Sequence, residues 1–261
     1  MPDLNPFSLS NNVVIQFGGT GLLGRALVSA IAAAGATTVV ASRNRASLES
    51  LAATEQAGNR RVLIEEVDIT SEASLQSLRD RVLGAHGRID GIVFNAVSRS
   101  MKGYQGDLSG WVDSMATNAT GFFATVRMFG DAMAARKSGS IVNISSQMGM
   151  IGMNPHLYDG PSAYPAPDYF FHKGGMINLT RYLASHYGSS GVRVNVVSPG
   201  GIYNPEKPQP AGFLARYAPQ TMLGRMANAE EIGGAVVFLL SGASSYITGA
   251  NLPIDGGYTA K

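Results

Sequence analysis

A three-layer α/β fold built around a parallel, doubly wound sheet is what this sequence predicts, on three observations. Short β-branched apolar runs alternate with longer helical stretches along the chain, and a glycine-rich turn joins the first run to the first helix. The length, 261 residues, is enough for one large α/β unit and too small for two comfortable ones. A single domain over residues 1–261 is therefore expected.

The elements follow in order. Val13-Val14-Ile15-Gln16-Phe17 is the first strand, and the stretch 22–34 after the glycine turn is the first helix. Strands at 38–41, 61–64, 91–94, 140–144 and 192–197 are each nearly continuous in apolar residues, as strands covered on both faces are. Helices at 45–54, 71–83, 113–135 and 169–187 lie between them, and a last helix at 229–240 precedes a short strand at 251–254. Alternating strand and helix throughout is the Rossmann arrangement. Two segments, 147–168 and 201–223, fit neither period and are rich in Pro, Gly, Tyr and Met. Ligands in open α/β sheets sit beyond the carboxyl ends of the strands, so these loops are expected to wall a substrate site.

Composition bounds the function. The chain holds 45% hydrophobic residues and 15% charged ones, against a usual ~25% charged, which suggests surface hidden in a homo-oligomer, a tetramer or a dimer. Glycine, at 32 residues, exceeds the usual ~7% and points to tight turns and close backbone approach to a ligand. With no cysteine, disulfides, thiolate metal sites and cysteine nucleophiles are excluded, and no metal is expected. Net charge is only +2 with basic residues scattered, so no nucleic-acid footprint is visible. No stretch approaches a membrane span, and the stretch 1–12 has no leader pattern. A cytoplasmic protein is the expectation.

The turn Gly18-Gly19-Thr20-Gly21-Leu22-Leu23-Gly24 opens into a helix. Glycines there let backbone N–H groups approach a pyrophosphate at the positive helix end, although a tight turn without ligand would look the same. After the second strand, Ser42-Arg43-Asn44-Arg45 offers no carboxylate for a ribose 2′-hydroxyl, whereas Arg43, with Ser42 and Arg45 beside it, suits a 2′-phosphate. NADP(H) is expected over NAD(H), exposed loop arginines being the other reading.

Tyr169-Phe170-Phe171-His172-Lys173 places a phenol and an ammonium four residues apart, on one helix face. A nearby cation favours the phenolate, so such a pair exchanges a proton with a substrate oxygen. Tyr203-Asn204-Pro205-Glu206-Lys207 has the same spacing, but Pro205 and Pro208 argue against a helix there.

Together with the glycine turn and Tyr169/Lys173, the segments Asn95-Ala96, Thr117-Asn118-Ala119-Thr120-Gly121, Ile144-Ser145-Ser146 and Ser198-Pro199-Gly200 resemble, in order, the short-chain dehydrogenase/reductase family. The stretches from Leu223 to Ala250 and Ile254-Asp255-Gly256-Gly257 are similar to it too, so that the likeness covers about 7–258. The resemblance implies Tyr169 as general acid or base, Lys173 favouring its phenolate and holding the nicotinamide ribose, and Ser146 bonded to the substrate oxygen with Ser145 facing the sheet. It implies that Asn118 kinks its helix and orders a water of the proton relay. Coenzyme contacts would come from Gly18, Thr20, Gly21, Leu23, Gly24, Ser42, Arg43, Asp68, Ile69, Asn95, Ala96, Val97, Tyr169, Lys173, Pro199, Gly200 and Ile202.

Several positions depart from the family's pattern. Phe17 stands for a Thr, Leu22 for the second glycine, Phe94 and Val97 for an Asn and a Gly, and Asn204 for a Thr. Gly18, Gly21 and Gly24 restore a Gly-x-x-Gly-x-x-Gly variant. Ser146 and Tyr169 are unusually far apart, which enlarges the loop before the Tyr-x-x-x-Lys motif. That loop offers His156, Tyr158, Asp159 and Tyr164 as polar groups, with Met148, Met150 and Met153 as adaptable apolar ones. The function implied is NAD(P)-dependent interconversion of a secondary alcohol and a ketone, on a sugar, sugar acid or other polar substrate. A bulkier ketone, or a dinucleotide sensor without turnover, is the alternative; a serine hydrolase is excluded because no Gly-x-Ser-x-Gly occurs.

Overall fold

The computed structural model describes residues 5–261; the first four, part of the stretch searched for a leader, lie outside them. Seven parallel strands form one sheet in the order β3-β2-β1-β4-β5-β6-β7. They are β1 (Val13–Phe17), β2 (Thr37–Ser42), β3 (Val62–Glu66), β4 (Gly91–Phe94), β5 (Gly139–Ile144), β6 (Val192–Pro199) and β7 (Asn251–Ile254). The principal helices are α1 (Leu22–Ala33), α2 (Arg45–Ala57), α3 (Glu72–His86), α4 (Leu108–Met115), α5 (Phe122–Ala135), α6 (Pro167–Tyr187), α7 (Ala211–Tyr217) and α8 (Gly233–Leu240). Among the described residues no helix is long and apolar enough to cross a membrane.

The continuous apolar strands are explained by cores on both faces. Val13, Ile15 and Phe17 pack with Leu75 and Leu78 of α3, Val126 and Phe129 of α5 and Met176 and Leu183 of α6. Val14, Val93 and Val142 point the other way, against Leu27 and Ile31 of α1 and Val236 and Leu239 of α8. The departures at positions 17 and 94 explain each other. Phe17 and Phe94 are register partners on β1 and β4 with ring centroids 6.4 Å apart, and Phe122 and Phe129 extend the stack at 4.9 and 5.2 Å. Two polar positions have become core, each buried ring contributing roughly 1.5–3 kcal/mol.

Three helical readings change. The helix read at 113–135 begins at Leu108, capped by Asp107, whose carboxylate accepts from the Ser109 N–H at 2.7 Å. It is then broken by a π-turn over Ala116–Gly121, an inserted residue that a 3.6-residue period cannot reveal. The helix read at 229–240 opens with a 3₁₀ turn, Ala229–Ile232, before α8. The segment read as loop at 201–223 contains α7, while 147–168 carries three short 3₁₀ turns and gives way to α6 at Pro167. Proline suits the first turn of a helix, where its missing N–H would be unpaired anyway.

Candidate active site

The chain runs outward through β1, β2 and β3 and then returns to place β4 on the other side of β1, so a crevice opens at the carboxyl ends of β1 and β4. Gly18 turns there with φ of 76°. Its N–H donates to Ala41 O at 3.0 Å and its carbonyl accepts from Asn95 Nδ2 at 2.8 Å. A Cβ on Gly18 would lie 2.6 Å from the Ala96 backbone, and one on Gly24 only 2.3 Å from Gly18 O, so helix and strand meet only through glycine. Gly21 caps α1 without a side-chain hydrogen bond, faces open space, and no acid occupies the helix's first turn. The first N–H groups and the positive end of α1 are thus left for an anion.

A cavity of about 290 Å³ brings together Gly18, Thr20, Gly21, Ser42, Arg43, Asp68, Ile69, Asn95, Ala96 and Val97. Arg43 is exposed and makes no ion pair with a described residue, whereas Arg45 turns to Glu49 at 2.8 Å. The Asp68 carboxylate accepts from the Thr70 hydroxyl and N–H at 2.7 and 2.9 Å. Those bonds, with the charge of Arg43, hold it below the usual carboxylate range. A positive helix end and a free guanidinium along one slot fit the phosphates of a dinucleotide, and the Asp68 carboxylate in the same slot can accept from its hydroxyl or amino groups.

Gly21, Asn95 and Val97 also border a second cavity, of about 840 Å³, lined by Leu23, Gly24, Ser146, Tyr169, Lys173, Pro199, Gly200, Ile202 and Asn204. Tyr169 is half-buried, and its hydroxyl has no hydrogen-bond partner among the described residues. Ser146 Oγ accepts from the Met148 N–H at 3.2 Å, which leaves its proton free to donate. Lys173, 4% exposed, donates from Nζ to Ile144 O at 2.6 Å and sits 5.8 Å from the Tyr169 ring centroid. Burial, then the charge of Arg99, pushes its ammonium down to about 7. Ser145, expected to face the sheet, turns to α6, where its hydroxyl donates at 2.8 Å to the Lys173 carbonyl.

Asn118 lies in the π-turn, behind the cavity wall, and borders neither cavity. Its Oδ1 accepts from Ser98 N, and Nδ2 donates to Ser98 O and to Ser114 Oγ, at 2.8, 2.8 and 2.9 Å. Three of the amide's four hydrogen-bonding positions are filled, so its side chain clasps the loop after β4 more than it offers itself to a water. Ser114 in turn donates to Asp168 Oδ2 at 2.5 Å, tying α4 to the start of α6 just before Tyr169.

Sequence reasoning missed four residues here. Arg99 stacks over Tyr169 with Cζ 5.1 Å from the ring centroid, and Ser114 and Asp168 complete the clasp. His172 is buried edge-on to the Tyr169 ring at 5.3 Å, and neither ring nitrogen has a partner. Burial, then Lys173 and Arg99, holds it down to about 3, hence neutral. Only Asp168 carried a signal, as an acid in a first helical turn after proline.

The two long segments meet across the larger cavity. Arg216 of α7 donates to Leu157 O at 3.0 Å and pairs with Asp159 at 2.8 Å, and Tyr217 Oη accepts from Gly201 N at 2.6 Å and bonds Gln147 Oε1 at 3.3 Å. Tyr158, Tyr164, Phe213 and Tyr217 make an aromatic wall. Burial pushes the phenols of Tyr158 and Tyr217 up, so both stay protonated. Of the groups the enlarged loop offers, Tyr158, Tyr164 and Met148 line the cavity, whereas His156, Asp159, Met150 and Met153 do not. Asp159 is drawn off by Arg216, and His156 is on an exposed 3₁₀ turn. No helix forms around Tyr203 and Lys207; Asn204 Oδ1 instead accepts from Glu206 N and Lys207 N in a turn.

A doubly wound sheet with a dinucleotide slot opening into a tyrosine–lysine–serine cavity defines a nicotinamide-dependent oxidoreductase. A family model described as enoyl-(acyl carrier protein) reductase matches residues 21–259. The chain is 33% identical to a cis-4-hydroxycyclohexanecarboxylate dehydrogenase of Sinomonas cyclohexanicum, over 97% of this chain and 98% of the relative. It is 34% identical to a D-threitol dehydrogenase of Mycolicibacterium smegmatis, over 98% of this chain and 95% of the relative. The crystal structure of a short-chain type dehydrogenase/reductase from Mycobacterium marinum, 31% identical, superposes with a TM-score of 0.87 over 99% of both chains. The chain belongs to the short-chain dehydrogenase/reductase family, as a short member with an enlarged loop before Tyr169. It is an NAD(P)-dependent oxidoreductase acting on alcohol and ketone groups.

Proposed function

We propose that this single domain is an NADP(H)-dependent dehydrogenase/reductase of a polar hydroxy or oxo compound, working in the cytoplasm with Tyr169, Ser146, Lys173 and Asn118 as its machinery. The observation that carries the reading is that the unpartnered Tyr169 hydroxyl and the Ser146 hydroxyl with its free proton line one cavity, which shares Gly21, Asn95 and Val97 with the dinucleotide slot. The relatives named for a hydroxy acid and a polyol support a polar substrate.

The coenzyme, when bound, supplies the site that accepts or gives the hydride. Tyr169 Oη takes the hydroxyl proton in oxidation and returns it in reduction. Ser146 donates a hydrogen bond to the same oxygen and fixes it. Lys173 brings positive charge to the phenol from a buried position. Asn118, through Ser114 and Asp168, holds the start of α6 so that the phenol stays at the cavity. Segments 147–168 and 201–223 wall the substrate and keep water out.

NADP(H) over NAD(H) rests on Arg43, the unpaired guanidinium of the smaller cavity. Arg43→Ala is expected to weaken NADPH binding about tenfold or more, the loss of a charge-assisted hydrogen bond, with little change for NADH. Fluorescence titration of both coenzymes checks this, and an unchanged preference removes Arg43 from the reading.

A second copy of the chain is proposed for α4, α5 and α6, which leave Leu108 and Val112, Phe123, and Phe171 and Tyr182 exposed by 74, 64, 39, 61 and 63%. Apolar exposure of this extent on neighbouring helices is what a subunit interface covers. Sedimentation is expected to give two or four times 27.3 kDa, and a monomer contradicts it.

A further inference from the structure

The geometry points to Arg99 as the group that recognises a carboxylate on the substrate, making a hydroxy acid or oxo acid the class of compound this cavity takes. The assignment rests on the dehydrogenase reading above and narrows it.

Four charged side chains line the larger cavity among the described residues: Arg99, Lys102, Asp168 and Lys173. The single carboxylate, Asp168, is 3% exposed and engaged by the Ser114 hydroxyl. Lys173 is anchored on Ile144 O. Arg99 and Lys102 are exposed and have no ion pair or hydrogen bond from their side chains to a described residue. The larger cavity therefore carries positive charge that no carboxylate of its lining offsets.

Position makes the surplus specific. The Arg99 guanidinium lies over the Tyr169 ring with Cζ 5.1 Å from its centroid, so a carboxylate bonded to it sits close to the carbon whose oxygen meets the phenol. Contact with the ring face holds the guanidinium in place, and its N–H groups, which make no bond to a described residue, remain available for two parallel bonds to a carboxylate. The backbone that carries it is fixed too, because both main-chain groups of Ser98 are clasped by Asn118. Arg99 does not border the smaller cavity, where Gly18, Thr20 and Arg43 stand with Asp68; it lies over the acid–base phenol in the larger one. Tyr158, Tyr164 and Phe213, on the other wall, offer no cation. The body of the acid lies against those rings, with its carboxylate toward the loop after β4.

The test uses pairs of probes that differ only in charge: cis-4-hydroxycyclohexanecarboxylate with its carboxamide, and gluconate with glucitol. For each, kcat/KM is measured by reduced-nicotinamide absorbance, and the thermal shift of the coenzyme-loaded protein is recorded. Wild type is expected to favour the acid of at least one pair by about tenfold or more, in binding and in turnover. In Arg99→Gln the acid-to-neutral ratio should fall to near unity, with coenzyme affinity retained. The ratio is the readout because the guanidinium also touches the acid–base phenol, so rates on both members of a pair can drop together. Arg99→Lys should give an intermediate ratio. No acid preference in wild type, a ratio unchanged in Arg99→Gln, a Lys variant no better than Gln, or a coenzyme affinity that falls as far as the ratio would each overturn the assignment. Acid-selective binding without any turnover would leave Arg99 in its role and overturn the dehydrogenase reading instead.

Discussion

Tyr169→Phe is expected to lower kcat by about 10²–10⁴, the usual contribution of a positioned acid–base group, while the coenzyme dissociation constant and thermal stability stay near those of wild type. The separation follows from what the ring and the hydroxyl each touch. The ring carries the Arg99 stack at 5.1 Å, the Lys173 contact at 5.8 Å and the edge of His172 at 5.3 Å, and a phenylalanine ring keeps all three. The hydroxyl has no hydrogen bond to a described residue, so removing it leaves no buried donor or acceptor unpaired. The dinucleotide slot, built from the glycine turn, Arg43 and Asp68, does not include Tyr169. Initial rates and a nicotinamide fluorescence titration of the same preparation check both halves. Retained turnover would remove the phenol from the chemistry, and lost coenzyme binding would show that the ring does more than shape the substrate cavity.

The fold was legible because burial on both sheet faces leaves a plain mark, runs such as Val13 to Phe17 and Ile141-Val142 with no polar alternation. The glycine turn was legible for a steric reason: at Gly18 and Gly24 a Cβ would run into backbone. The Tyr169/Lys173 pair could be read because a helix turns spacing into a shared face. What sequence could not reveal depends on contacts between distant segments. The π-turn at Ala116–Gly121 adds one residue to a helix without altering its composition. Ser114 and Asp168 are 54 positions apart and become neighbours only when α4 packs against α6. Arg99 follows a strand in a loop with no period of its own, so nothing local announces that it stacks on a tyrosine 70 residues away. Asp159 and His156 erred in the opposite sense: both are polar loop residues, but an ion pair to Arg216 and an exposed turn take them away from the cavity.

The pH dependence of stability is expected to change in Lys173→Met, measured by urea unfolding of the coenzyme-free protein. The wild-type ammonium is 4% exposed and held down to about 7, from an ordinary 10.5, by burial first and the Arg99 charge second. Below pH 7 the lysine is charged in both folded and unfolded chains, and folding bears the full cost of desolvating it. Between pH 7 and 10.5 the unfolded chain holds a proton that the folded one has released, so wild-type stability gains up to about 1.4 kcal/mol per pH unit from this group. Above 10.5 the term is flat. Methionine has nothing to titrate, so the variant's stability relative to wild type should be greatest at pH 7 and below and decline toward pH 10. A second change, the Ile144 carbonyl losing its Nζ partner at 2.6 Å, destabilises the variant by about 1–3 kcal/mol at every pH. The slope separates the two effects where a single measurement would confound them. His172, held down to about 3, titrates between that value and 6.5 and stays outside the window above pH 7. Parallel pH profiles for variant and wild type would show that the ammonium keeps its hydration in the folded chain. A converging pair shows instead that the fold bears the cost of a dry cation at the place where negative charge develops on the substrate oxygen and the phenol.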